Sequence, residues 1–305
     1  MGVWPAPKVS SLAKERLKRL LPIAAFLVFL TLETHAAPKS DLWERWTAHQ
    51  PEGTLAPDYQ VWSDFLRRYL DTSNPDGIHR VDYDGVTSED EEGLKQYLLR
   101  LQKISVSRLS RIQQLPYWIN LYNAITVHLI LEHYPLDSIV DIRYEFFDFG
   151  PWDEKLLQIE DEEVSLNDIE HRILRPIWKD PRLHYALNCA SLGCPNLQPE
   201  SFHPGNVESL LNSGARDYIN HPRGLRFEND DDLVLSKIYD WYADDFGDHE
   251  KELLQHLMRY AIRSTKTRLE SFDGDIDYEY DWDLNGLSRK GCRSPSQNHP
   301  TRVIL

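Results

Sequence analysis

Residues 116–134 read PYWINLYNAITVHLILEHY, and the fold turns on how that stretch is read. Tyr117, Trp118, Ile119, Leu121, Tyr122, Ala124, Ile125, Val127, Leu129 and Ile130 leave almost no polar face, so the spacing predicts a helix buried on most sides. Pro116 suits the first helical position, where a missing N–H costs nothing. Asn120 and Asn123 lie one turn apart and are predicted to face the same way. On a buried helix both need hydrogen-bond partners, so they either fasten a neighbouring turn or line a cleft.

Amphipathic helices are predicted on either side of this core element. LAPDYQVWSDFLRRYLDT places Val61, Phe65, Leu66 and Tyr69 at helical spacing, and EEGLKQYLLRLQKI and VSRLSRIQQ follow the same rule. A further helix starts at Ser165, with Asp168 three residues on as a capping-box analogue. Its apolar stripe is Leu166, Ile169, Ile173 and Leu174, and Glu170 falls on that stripe. A lone buried carboxylate is expensive, so Glu170 must be paired, protonated or facing a cavity, with Arg175, Lys237 or a histidine as partner. Another helix spans about Val207 to Ile219. HRVDYDGV reads as a short strand, LHYALNC as a central strand, and GLRFENDDDLVLS as a hairpin. Ile276, Tyr278, Tyr280, Trp282 and Leu284 alternate with acidic residues as a half-buried strand does. Together these elements predict an α+β single domain, its helices packed on a mostly antiparallel sheet around the buried helix 116–134.

The N-terminus has the order of a secretory signal peptide. Lys14, Arg16, Lys18 and Arg19 precede an apolar run from Leu20 to Leu32, followed by Thr34-His35-Ala36-Ala37-Pro38. A run of thirteen residues, polar only at Thr31, falls short of the roughly 20 that span a bilayer, so no stable membrane insertion is expected after cleavage. The expected division is a signal peptide over 1–36, a lead-in over 37–57, a globular domain over 58–285 and a disordered tail over 286–305. Export is expected, to the periplasm if the host is a Gram-negative bacterium. Residues 1–36 hold five basic and two acidic side chains, so the remainder is more acidic than the −15 of the whole chain. Such a charge argues against nucleic acid or anionic lipid as a partner and leaves a small molecule or a peptide.

The chemistry concentrates in PRLHYALNCASLGCPNLQP, residues 181–199, which holds His184, Asn188, Cys189 and Cys194 within eleven residues. As a strand, 183–189 puts His184 and Asn188 on one face and Cys189 on the other, with Cys194 beyond a turn that folds back toward His184. Two of the three cysteines lie here; Cys292 lies in the polar stretch SRKGCRSPSQNHPTR. The four-residue spacer permits a disulfide in an oxidising compartment, two structural thiols, or one reactive thiolate held by a nearby base. No cofactor motif appears, neither a phosphate-binding glycine loop nor a nucleophile elbow. Cys189, Cys194, His184 and His203 are metal-ligand types without the short cysteine knuckle of common zinc sites, so no metal is expected.

YWINLYNA at 117–124, LNDIEHRILR at 166–175, HYALNCASLGCP at 184–195, LSKIYDWYADDFG at 235–247 and YDWDLN at 280–285 resemble the family called domain of unknown function 547. The resemblance spans roughly 60–285 and implies one domain. It also implies that Asn120, Asn123, Glu170, His171, His184, Asn188, Cys189, Cys194, Ser236, Lys237 and Asp245 sit at the family's recognisable polar positions. A looser analogy is to papain-like and transglutaminase-like folds, whose nucleophilic cysteine starts the buried helix; Tyr117, Trp118 and Asn120 stand there in this chain.

Two functions are therefore expected in competition. One is a thiol-dependent hydrolase or acyltransferase on a peptide or amide, with Cys194 or Cys189 as nucleophile, His184 as base, Glu170 or Asn188 orienting it, and Asn120 or Asn123 at an oxyanion. The other is a non-catalytic module with a Cys189–Cys194 disulfide, binding a small ligand or peptide through Asn120, Asn123, His171, Asn188 and Lys237, beside Trp241 and Tyr242. An envelope protein with no pocket is a third reading, and it requires the polar cluster to satisfy itself.

Overall fold

A computed structural model describes residues 38–287, apart from 54, 145–148, 229–231 and 248. The predicted signal peptide, the tail from 288 and the turn of the hairpin lie outside the described residues.

The chain opens with Trp46, which is buried and packs edge-on against Trp118 at 5.1 Å. Helix α1, Gln60–Tyr69, leads to the paired strands β1 (Leu70–Asp71) and β2 (Arg80–Val81) and then to α2, Ser88–Gln102. Thr87 caps α2, and three acidic residues occupy its first turn, where the helix dipole favours them.

The core helix, α3, runs Arg111–His133, with every residue from Gln114 to Ile130 buried. It begins one and a half turns earlier than Pro116 suggests. The Gln113 side chain reaches back to the Ser110 N–H at 3.0 Å and stops the frayed end there. The segment predicted as the separate helix VSRLSRIQQ is divided between a short 3₁₀ turn, Val106–Arg108, and the first turn of α3. Pro116 is therefore inside the helix, tolerated because the tertiary packing of α3 outweighs one missing backbone bond.

Strands β3 (Leu157–Ile159) and β4 (Glu162–Val164) form a hairpin ahead of the next helical segment. Ser165 and Asp168 cap each other as predicted: the Ser165 N–H donates to Oδ2 of Asp168 at 2.9 Å, and the Asp168 N–H to Oγ of Ser165 at 3.1 Å. From Asp168 to Leu174 the turns widen to π-helical geometry, and they tighten into α4, Arg175–Trp178.

The predicted central strand LHYALNC is not a strand. Pro181–Tyr185 forms a 3₁₀ turn capped by Asp180, and the chain then runs as a loop through Ala190, whose φ is 60°. The residues are buried on all sides, which is why their apolar run resembles an interior strand. Their backbone is satisfied by side chains. Asn123 Nδ2 donates to the Ala186 carbonyl at 2.8 Å, while its Oδ1 accepts from the Asn188 N–H at 2.9 Å. Asn120 treats Phe202 in the same way, at 2.7 and 2.9 Å.

Helix α5, Val207–Ile219, has the predicted bounds. The hairpin strands β5 (Leu225–Glu228) and β6 (Asp232–Ser236) follow, then α6 (Ile238–Trp241), α7 (Ala243–Phe246), α8 (Glu250–Tyr260), α9 (Arg263–Glu270) and β7 (Ile276–Glu279). β5 pairs antiparallel with β6, and β6 pairs parallel with β7. Among the described residues the architecture is α+β with three small sheets where a single one was expected, because the residues predicted to centre it are held by amides instead. The last predicted strand stops at Glu279, and 280–286 continues beside the 190s loop and β2 through the bridges Ser191–Leu284 and Val81–Gly286.

Replacing Asn123 with Ala removes both partners of a buried carbonyl and a buried N–H, and is expected to cost about 2–5 kcal/mol in urea denaturation. A loss under about 1 kcal/mol would show that the 186–188 backbone finds partners without Asn123.

Candidate functional site

The π-helical turn sets the site. The Arg175 N–H bonds the Glu170 carbonyl five residues back, and the widened turn presents Glu170, His171 and Arg175 beneath α6 and α7. All three are buried.

Arg175 lies at the centre of this cluster. Its Nε donates to Asp245 Oδ2 at 2.5 Å, and its Nη1 to His171 Nδ1 at 3.0 Å and to the Pro38 carbonyl at 2.8 Å. Asp245 also accepts from His184 Nε2 at 2.7 Å. Tyr242 covers the group, its ring stacked on His184 with centroids 4.1 Å apart and 4.9 Å from the Arg175 guanidinium. The lead-in closes it from the other end, with the Asp41 and Trp43 N–H groups bonding the carbonyls of His171 and Arg172.

Electrostatics follow from these contacts. Burial by itself would raise the Asp245 carboxyl, but the bonds from His184 and Arg175 outweigh it and hold the group at about 2. Burial, followed by the nearby Arg175 charge, pushes His171 down to about 4 against the opposing pull of Glu170. The geometry agrees: an Nδ1 that accepts from a guanidinium carries no proton there.

Glu170 is buried as predicted, but Arg175 is not its partner. Its Oε2 accepts from the Tyr122 hydroxyl at 3.1 Å, and its Oε1 lies 3.8 Å from His184 Nδ1. Lys237 bonds Glu279 through its backbone N–H, and its ammonium makes no ion pair among the described residues.

The predicted thiols form a disulfide, Cys189–Cys194. Both sulfurs lie against the Tyr280 hydroxyl, at 3.1 and 3.2 Å. Asn188 braces the loop they close, donating to the Pro195 carbonyl at 2.7 Å and accepting from the Ala190 N–H at 2.9 Å. Gly193 lies so close to 280–282 that a Cβ would meet the Asp281 carbonyl oxygen at 2.8 Å. Ser236 is engaged by Tyr218, whose single hydroxyl proton goes to the Gly193 carbonyl at 2.6 Å and whose oxygen accepts from the Ser236 hydroxyl at 2.8 Å.

The structure thus divides the predicted residues. Glu170, His171 and His184 come together with Asp245. Cys189, Cys194 and Asn188 form the adjoining loop, and Asn120 and Asn123 hold backbone rather than line a cleft. The shared face foreseen for His184 and Asn188 disappears with the strand. Tyr122 and Tyr280 were missed as members of the cluster, and Arg175 and Tyr242, expected beside Glu170 and the binding residues, were not foreseen with Asp245 and His184. Arg175 and Tyr242 stand inside the quoted motifs, one turn from His171 and three residues from Asp245, and that adjacency was the available signal.

An open depression of about 340 Å³ lies elsewhere, between α6, α7, α8 and β7, lined by Tyr239, Asp240, Phe246, His249, Glu250 and Tyr278 among others. None of the predicted site residues lines it. Among the described residues no group of three or more His, Cys, Asp or Glu side chains is placed to hold a metal ion, and no helix is long and apolar enough to cross a membrane.

Residues 106–219 match the model of the family described as protein of unknown function, DUF547. No curated protein and no solved structure gives a significant match. The matched stretch carries α3, the π-helical turn, the disulfide loop and α5, whereas Tyr242, Asp245 and Tyr280 come from beyond it.

Acid sensitivity should reflect the cluster. An imidazole lowered from about 6.5 in the unfolded chain to about 4 in the fold leaves stability intact above pH 6.5. The loss then accumulates as pH falls from about 6.5 to about 4. His256, also held near 4 by burial, adds in the same window. Asp245 acts lower, its contribution being lost between about pH 4 and 2. Each histidine contributes a slope of at most about 1.4 kcal/mol per pH unit. In His171→Asn, whose amide oxygen can accept from Arg175 without titrating, urea midpoints between pH 7 and 4 should lose one proton's share of that slope. An unchanged slope would mean that His171 does not titrate with unfolding.

Proposed function

We propose that this protein is an exported, non-catalytic binding module, and that the face shared by Glu170, Tyr242, Tyr280 and the disulfide loop holds a small ligand or a peptide. The observation that carries this reading is the state of the side chains. Both sulfurs are bound to each other, and Nε2 of His184 is committed to Asp245 rather than to a thiol. The three amides offered as positioning groups are likewise committed to backbone.

What the cluster leaves at the surface is a half-buried aromatic border. Trp241, Tyr280 and Trp282 contact one another at centroid distances of 4.6–5.6 Å, and Trp152 joins them at 5.7 Å from Trp282. Half-buried aromatic rings beside a few fixed polar groups are what small-ligand sites use for affinity and orientation. Export rests on the leader-like N-terminus and on the disulfide, which persists in an oxidising compartment.

Alkylation of a Cys292→Ser background without reductant tests the reading against the thiol-dependent hydrolase. Cys189 and Cys194 are expected to stay unlabelled until reduced. Rapid labelling of either below pH 7 would return the lead to an enzyme with a thiolate nucleophile and His184 as its base. Replacing both by Ser should lower stability by about 2 kcal/mol, the share of so short a closed loop. Binding by the folded fraction, read by tryptophan fluorescence against a panel of peptides and small molecules, should be unchanged.

A further inference from the structure

The loop closed by the Cys189–Cys194 bridge is also held without it. The Leu192 and Gly193 N–H groups bond the Asp283 and Asp281 carbonyls, each at 2.8 Å. Their own carbonyls are taken in turn, Gly193 by the Tyr218 hydroxyl at 2.6 Å and Leu192 by Arg223 Nη1 at 2.9 Å. A disulfide that closes so short a loop stabilises least, so stapling explains little of its presence. With the loop pinned from outside, the two sulfurs stay side by side when the bond between them breaks.

The sulfurs are not equivalent. Cys194 is buried, at 4 % exposed, whereas Cys189 is half-buried. Sγ of Cys194 accepts from the Cys189 N–H at 2.8 Å and from the Tyr280 hydroxyl at 3.2 Å. The Tyr280 proton is free for sulfur, because its oxygen accepts from the Ser191 hydroxyl at 3.0 Å. Burial pushes that phenol up, so it keeps the proton at neutral pH. Sγ of Cys189 shares the phenol at 3.1 Å and lies 3.4 Å from Ser191 Oγ, but has no backbone donor among the described residues. Donors aimed at a sulfur favour negative charge on it, and the better-stabilised thiolate is the better leaving group.

We infer that this bridge is an exchangeable redox couple that takes two electrons from a dithiol. A thiolate of the dithiol attacks Sγ of Cys189, and its electron pair forms the new S–S bond. The pair of the old bond departs with Cys194, whose thiolate is met by the Cys189 N–H and the Tyr280 O–H. The second thiolate of the dithiol then attacks its neighbour in the mixed disulfide and releases Cys189. One proton of the dithiol ends on Cys189 and the other in solvent, while Cys194 remains a thiolate. The dithiol is oxidised to a disulfide and the bridge is reduced. This exchange is stoichiometric and needs no ligand on the neighbouring face, so it stands or falls separately from the binding reading.

The test uses the oxidised full chain in a Cys292→Ser background. Dithiothreitol without denaturant is expected to reduce the bridge while the circular dichroism stays unchanged. A brief pulse of glutathione, quenched in acid and mapped by mass spectrometry, should place the adduct on Cys189. Tyr280→Phe removes one donor and should slow the reduction roughly tenfold. In Cys189→Ser, thiolate absorbance should show Cys194 titrating below the ~8.5 of a free cysteine, and this decides the matter if Tyr280→Phe does not fold. Reduction only after denaturation, an adduct on Cys194, a rate unmoved by Tyr280→Phe, or a Cys194 titrating at or above ~8.5 would overturn the inference.

Discussion

Backbone buried without a ladder needs partners, and in this protein they come from two amides on one helix. Asn120 and Asn123 each present a donor and an acceptor at the spacing of a peptide group, and each engages both a carbonyl and an N–H of a segment crossing α3. The loop that carries His184 and the disulfide is thereby held where a strand would otherwise be needed. An alanine at either position would leave buried polar groups facing apolar neighbours, at a cost no local rearrangement of so enclosed a loop offsets.

The charged cluster depends on that placement. Once the loop is pinned, His184 meets Asp245 from the α7 turn, and Arg175 from the π-helical turn meets the same carboxylate oxygen. Two donors on one carboxylate outweigh the cost of its burial and fix α7 against the helical segment that precedes the loop. Tyr242 completes the arrangement by placing its ring over both cationic-type side chains. At its edge Glu170 accepts from the Tyr122 hydroxyl at 3.1 Å, with His184 Nδ1 3.8 Å from its other oxygen.

Much of this was legible. The helical segments at 60–69, 88–102 and 207–219, the Ser165–Asp168 cap, the β5–β6 hairpin and the burial of Glu170 follow from periodicity and capping chemistry, which act over a few residues. Two readings failed, each because a local pattern fits more than one structure. The run 183–189 is apolar and short, and such a run looks the same whether it is a central strand or a loop enclosed on every side. Pro116 resembles a helix start because propensity favours it there, yet Ser110 and Gln113 supply a better cap one and a half turns earlier.

The sequence by itself determined where most helices up to residue 219 lie, that Glu170 would be buried, and that the thiols at 189 and 194 were close enough to bridge. The tertiary structure decided what the polar residues do. Asn120 and Asn123 were equally suited to a cleft or to pinning backbone, and Arg175, expected as a partner for Glu170, bonds Asp245 instead. Which partner each one takes depends on segments 63–82 residues distant in the chain, and no local pattern encodes a meeting between groups so far apart.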